Sequence, residues 1–105
     1  MVLYNGPVAA DKQMEGLSPE DMKKNMEPWV AWFKNCGKAL VDGGTPLVNG
    51  MHLDKDSSSE SKSIVTGYSI LEAKDIDEMK KMLSDNPHFM MPNASIEVFE
   101  MMPMM

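Results

Sequence analysis

The run Ser63–Ala73 (SIVTGYSILEA) constrains the fold of this chain more than any other part of it. It is rich in Ile, Val, Thr and Tyr, the residues that suit a pleated strand. Alternation splits it into two rows, Ile64, Thr66, Tyr68, Ile70 and Val65, Gly67, Ser69, Leu71. Neither row carries a charge before Glu72. A strand apolar on both sides needs cover on both sides.

The flanking segments supply part of that cover. Asp75-Ile76-Asp77-Glu78 opens a helix with an Asp cap and an acid three residues on. Its predicted buried stripe is Ile76, Met79, Met82 and Leu83, and Asp85-Asn86-Pro87 stops it. Ser95–Met102 reads as a last strand, with Ile96, Val98 and Met102 on one face and Glu97, Phe99 and Met101 on the other.

The first half repeats this logic. Residues 1–5 (MVLYN) read as a short strand ended by Gly6-Pro7, and Val8–Leu17 as a polar connection. Ser18-Pro19-Glu20-Asp21 is a helix start: Ser cap, Pro at the first position, acids in the first turn. Met22, Met26, Trp29, Phe33, Cys36 and Leu40 then recur at three- and four-residue steps, with Gly43-Gly44 as the expected stop. Pro28 lacks a donor and predicts a kink or restart inside the run. Pro46–Leu53 reads as the second strand, and Asp54–Lys62 (DKDSSSESK) as a polar, mobile loop.

The order βαββαβ is that of the split, ferredoxin-like plait, an α+β fold with a four-stranded antiparallel sheet and two helices on one face. Two helices cover only one face. The doubly apolar strand therefore predicts a homodimer through the bare sheet face.

Length and charge narrow the function. A chain of 105 residues suits one domain over 1–105. A domain of this size buries only about 60–65% of its unfolded surface, so a second copy would help it. Sixteen acids against ten Lys, with no Arg, leave a net charge of −6. Arg is the usual bidentate clamp for phosphate and guanine, so neither nucleic acid nor an anionic membrane is an expected partner. The single Cys36 forms no internal disulfide and lies on the apolar helix face, as a buried hydrophobe or, less simply, a reactive thiol. No signal segment or span of about 20 apolar residues occurs, so the cytoplasm is the expected setting. Thirteen Met suit adaptable, self-complementary packing.

Several pieces in order carry a family resemblance. They are Trp29-Val30-Ala31-Trp32-Phe33, Gly37–Leu47 (GKALVDGGTPL), Val65–Ala73 (VTGYSILEA), Asn86-Pro87-His88 and Ser95–Glu100 (SIEVFE). Together they resemble the YCII-related (DGPF) domain family. The resemblance implies a ferredoxin-like fold paired into a dimeric α/β barrel, small organic substrates for some members, and a suspected acid–base dyad of a first-helix His with an Asp. This chain departs from that pattern. Trp29 stands where relatives carry the helix His, and His88 where they carry an aromatic residue. The dyad therefore does not carry over. Relatives also have several more residues before the first strand.

His88 is the candidate acid or base, because only His titrates near neutrality unperturbed. The plainer reading is that it fixes its loop by bonding a backbone carbonyl. Trp29 and Trp32 could wall a small-molecule pocket or pack the core and dimer. Tyr68 could enter a cavity or the dimer core. Asp42 precedes the two glycines at the expected helix end, where a carboxylate opposes the dipole. His52 and Asp54 would need a third ligand to hold a metal, and neither a metal nor another cofactor is expected. No G-x-S-x-G supports a serine triad. Two functions follow: a homodimer that binds an apolar or aromatic small molecule, with weak acid–base turnover by His88, or a non-catalytic dimerisation module.

Overall fold

The computed structural model describes residues 1–7, 12 and 15–103. The expected connection Val8–Leu17 lies mostly outside them, as do Met104 and Met105.

Strand β1 (Val2–Asn5) leads to helix α1 (Pro19–Cys36) and a 3-10 turn, Gly37–Ala39. Strands β2 (Leu40–Asp42), β3 (Met51–Leu53), β4 (Ser58–Glu60) and β5 (Val65–Leu71) follow. Helix α2 (Ile76–Leu83), a second 3-10 turn (Pro87–Met90) and strand β6 (Ser95–Val98) complete the chain. The fold is mixed α+β. One sheet has four antiparallel strands in the order β2-β5-β1-β6, and β3 and β4 form a separate hairpin.

Short β1 is central, paired with β5 on one side and β6 on the other. Register therefore matters most here. Val2 lies opposite Ser69 and Val98, and Tyr4 opposite Gly67 and Ile96. These residues share the face that meets the helices. Val2, Tyr4, Leu71, Trp32 of α1 and Met79 and Leu83 of α2 form one buried cluster. Both helices thus cover the same side of the sheet. Burying each such large side chain is worth about 1.5–3 kcal/mol.

Helix α1 begins as the sequence requires, with the Ser18 hydroxyl accepting the Asp21 N–H at 3.2 Å and Pro19 at the first position. It runs through Pro28 as one element rather than restarting. Its end differs from the expectation. Gly37 takes a positive φ of 56° and its N–H returns to the Phe33 carbonyl, so the helix stops there. Leu40 is consequently in β2, not on the helix.

Asp42 is corrected with it. It lies in edge strand β2, away from any helix end, and its Oδ1 accepts the Gly44 N–H at 2.8 Å. The carboxylate closes a tight turn instead of opposing a helix dipole.

The expected second strand, Pro46–Leu53, is divided. Pro46 makes one bridge to Gly67, and the Leu47 N–H donates to Thr66 O at 3.0 Å. Met51–Leu53 leaves the sheet and pairs with Ser58–Glu60, inside the run expected to be a loop. Asp54 closes that hairpin, its N–H donating to Ser57 O and its carboxylate accepting the Ser57 hydroxyl. Local turn chemistry outweighed a polar composition.

Helix α2 is capped by Asp75, which accepts the Glu78 N–H at 2.8 Å. Met79 and Leu83 are buried and Met82 partly so, but Ile76 is exposed. It sits in the first turn, beyond the reach of the sheet. Strand β6 is shorter than Ser95–Met102. The terminal amine of Met1 donates to Phe99 O, the Phe99 N–H returns to Met1 O, and Met101 and Met102 are exposed beyond it. Among the described residues no helix is long and apolar enough to cross a membrane.

Candidate functional site

The chain places its largest group of buried polar side chains around Tyr4. Alternation in β1 sends Tyr4 toward the helices, where it is buried. Its hydroxyl donates to Ser69 Oγ at 2.8 Å, and Ser69 donates onward to the Gly43 carbonyl at 2.7 Å. The Asn86 amide donates to the Tyr4 hydroxyl at 3.3 Å. Three segments distant in sequence therefore meet on one phenol.

Asn86 and His88 are set by the stop of α2. Asn86 caps the 3-10 turn that follows, its Oδ1 accepting the His88 N–H at 2.8 Å. The turn swings the His88 ring inward, with only 6% of the residue exposed. Its Nε2 lies 2.6 Å from the Asn5 carbonyl oxygen. A carbonyl only accepts, so Nε2 carries the hydrogen. The Asn5 side chain donates in turn to Glu97 Oε1 at 2.6 Å, while its buried Oδ1 has no partner.

Aromatic rings enclose this network. The Tyr4 ring lies 5.1 Å from His88 and 5.3 Å from Trp29, the latter edge-on at 80°. Trp29 meets Trp32 edge-on at 6.1 Å, and Phe33 packs on both. Trp32 is 2% exposed and its indole N–H donates to Met82 O at 2.9 Å, which satisfies the group that makes a buried Trp costly. Burial raises the Tyr4 phenol above its ordinary pKa, against the opposing hydrogen bonds with Ser69 and Asn86. Burial also raises the half-buried Cys36 thiol, helped by the nearby Asp85 carboxylate.

The residues expected to share a site divide into two groups. His88 and Trp29 both touch Tyr4, and Trp32 joins them through Trp29. Tyr68 does not join them. It neighbours Ser69 in β5, so its side chain projects from the opposite sheet face. Asp42 is exposed at its turn. His52 and Asp54 are 3.2 Å apart on the exposed hairpin, and among the described residues no group of three or more His, Cys, Asp or Glu is arranged to hold a metal.

Tyr4, Ser69, Asn86 and Asn5 are the members that the sequence did not single out. Tyr4 carried a signal, its alternation with Val2 in MVLYN. Asn86 carries one too, as part of the helix stop and of the Asn86-Pro87-His88 piece, but neither marks it as a partner of Tyr4.

A base or nucleophile must face space that a reactant can enter. Of the clefts in the described surface, one is lined by Lys38, Glu72, Lys74 and Glu78 and another by Lys23, Met26, Val30 and Lys34. Neither is lined by His88, Trp29, Trp32, Tyr68 or Asp42. The buried network joins β1, β5 and the turn after α2. Compared with protein-family models, curated proteins and solved structures, the chain matches none.

Proposed function

We propose that the protein is a homodimerising module with a ferredoxin-like plait, whose bare sheet face meets a second copy. The observation that carries this reading is the contrast between the two faces of the sheet. One face is closed by both helices. On the other, Leu3 lies opposite Tyr68 and Glu97, with Ile70 nearby, and among the described residues neither α1 nor α2 joins them in the buried cluster. Leu3, Tyr68 and Ile70 are only half-buried, and Val41 of β2 is 61% exposed.

The strand order β2-β5-β1-β6, with a helix in each crossover, supports the plait. The resemblance to the YCII-related family, with its dimeric α/β barrels, agrees with a second copy as the occupant. Within this reading the buried Tyr4–Asn86–His88 network is a scaffold that stiffens the sheet for pairing. A reducing, cytoplasmic setting is part of the reading and fits the lone, half-buried Cys36.

Sedimentation velocity tests it. The expected species at micromolar concentration has twice the 11.7 kDa chain mass. Ile70→Asp should yield monomer or unfolded chain, because it places an unpaired carboxylate in the interface. A wild-type monomer throughout that range would sink the reading.

A second reading rests on Trp29, the half-buried ring that extends the Tyr4–His88 cluster outward. There the protein would accept a small aromatic molecule, with His88 as its polar contact. A ligand specific to the native state raises the melting temperature. A screen of small aromatic acids and phenols should then yield a stabiliser whose effect disappears in Trp29→Ala. No shift with any member of such a panel would leave the assembly module alone.

A further inference from the structure

The β3–β4 hairpin is out of keeping with the rest of the fold. Its six paired residues, Met51–Leu53 and Ser58–Glu60, are all exposed. An isolated two-stranded hairpin is marginal in water, because it has no third strand or helix to bury a face against. Yet this one is well specified. Its turn is closed by Asp54 and Ser57, and its base by the Ser61 N–H donating to Gly50 O at 3.0 Å. Gly50 is required at that base: a Cβ there would lie 2.9 Å from the Ser61 Cβ. One side of the hairpin carries Met51 and Leu53, with their cross-strand partners Glu60 and Ser58 beside them. Met51 and Leu53 alternate to the same face, and each is 67% exposed.

We infer that this hairpin is an arm that packs Met51 and Leu53 onto the second copy; the inference rests on the dimer reading above. Three observations select that occupant. The first is continuity. The arm springs from the sheet edge, anchored where Pro46 and Leu47 bridge to Gly67 and Thr66 of β5, the strand that also carries Tyr68 and Ile70.

The second is area. The sheet strands have three, seven, four and four residues. At about 4.8 Å between strands and 3.3 Å per residue the face bearing Tyr68 and Ile70 presents on the order of 300 Å². A stable interface needs about 800 Å² per partner, so the sheet face alone falls short. An arm on each copy adds a second contact at either end.

The third is shape. The radius of gyration is 15.2 Å, against about 13 Å expected for a closed domain of this length. The monomer is more extended than a self-sufficient domain.

The test compares wild type with the double variant Met51→Lys/Leu53→Lys by sedimentation velocity over a concentration series. Far-UV circular dichroism checks the fold, and hydrogen exchange is read on the amides of residues 51–60. Both substitutions lie outside the buried cluster, so the fold should persist. The inference expects a wild-type dimer, a dissociation constant raised at least tenfold in the variant, and wild-type hairpin amides whose protection increases with the dimer fraction. A wild-type dimer that the variant matches, with hairpin exchange independent of concentration, overturns the arm and leaves the sheet-face dimer standing. A wild-type monomer at every concentration overturns both.

Discussion

At Tyr4 one hydroxyl ties β1 to β5 and to the turn after α2, through Ser69 and Asn86. Replacing it by Phe keeps the ring between Trp29 and His88 and removes only the polar joint. Asn86 then loses its acceptor inside the core. The expected cost is about 1–3 kcal/mol, since an orphaned buried donor forfeits its desolvation. The phenol also sets a pH signature. Its folded pKa is raised, chiefly by burial. The neutral form is the one the fold prefers, so this contribution is fully present below the unfolded value of about 10. It is lost as pH rises from there through the raised folded value, because the unfolded chain then holds fewer protons. Urea melts of wild type and Tyr4→Phe from pH 8 to 11 should converge at the alkaline end. Parallel curves would show that the phenol is not buried as described. His88 has a comparable structural part, its Nε2–H holding the Asn5 carbonyl where β1 ends.

Among the elements, the turn that leaves β2 is the least tolerant. Gly44 has φ 78°, and a Cβ there would lie 1.7 Å from the Tyr68 carbonyl oxygen, a backbone atom of β5 that cannot swing aside. Gly16 has nearly the same φ, 79°, with nothing within 4 Å of its would-be Cβ. The two positions share the backbone cost and differ only in space. Gly16→Ala is expected to cost about 1–2 kcal/mol, the left-handed penalty alone. Gly44→Ala should cost more than about 4 kcal/mol or prevent folding, because β2 cannot then lie beside β5. Denaturation midpoints of the pair decide it, and equal losses would show that the close approach is relieved cheaply.

For the whole molecule the governing contrast is between the sheet face on which α1 and α2 pack and the face on which, among the described residues, neither does. Ile70 and Tyr68 sit on the open side of the longest strand. Covering one Ile is worth about 1.5–3 kcal/mol, and a symmetric pairing counts each contact twice. In the proposed dimer, Ile70→Asp should therefore weaken pairing by well over tenfold, or abolish it. The proposed hairpin arm would add area at the sheet edge without changing the core. Its loss should weaken pairing while the melting of the monomer stays unchanged.

Local chemistry could be read directly from the residues. Ser18 and Asp75 announced two helix starts, and both accept the backbone N–H expected of a cap. The alternating run Ser63–Ala73 announced β5 and its two apolar rows. These features depend on neighbours three or four residues away, or on strict alternation, so they are written along the chain. Tertiary contacts decided the rest. Gly37 rather than Gly43-Gly44 ended α1, because β2 had to reach β5. The polar run after Asp54 became a strand, because its turn satisfied the backbone. Among the candidate site residues, Trp29 and His88 were visible as residue types. Their meeting on Tyr4 was not, since that depends on β1 lying at the centre of the sheet. Parity alone put Tyr68 on one side and Ser69 on the other, but only the packing of both helices against Val2, Tyr4 and Leu71 determined which side is closed.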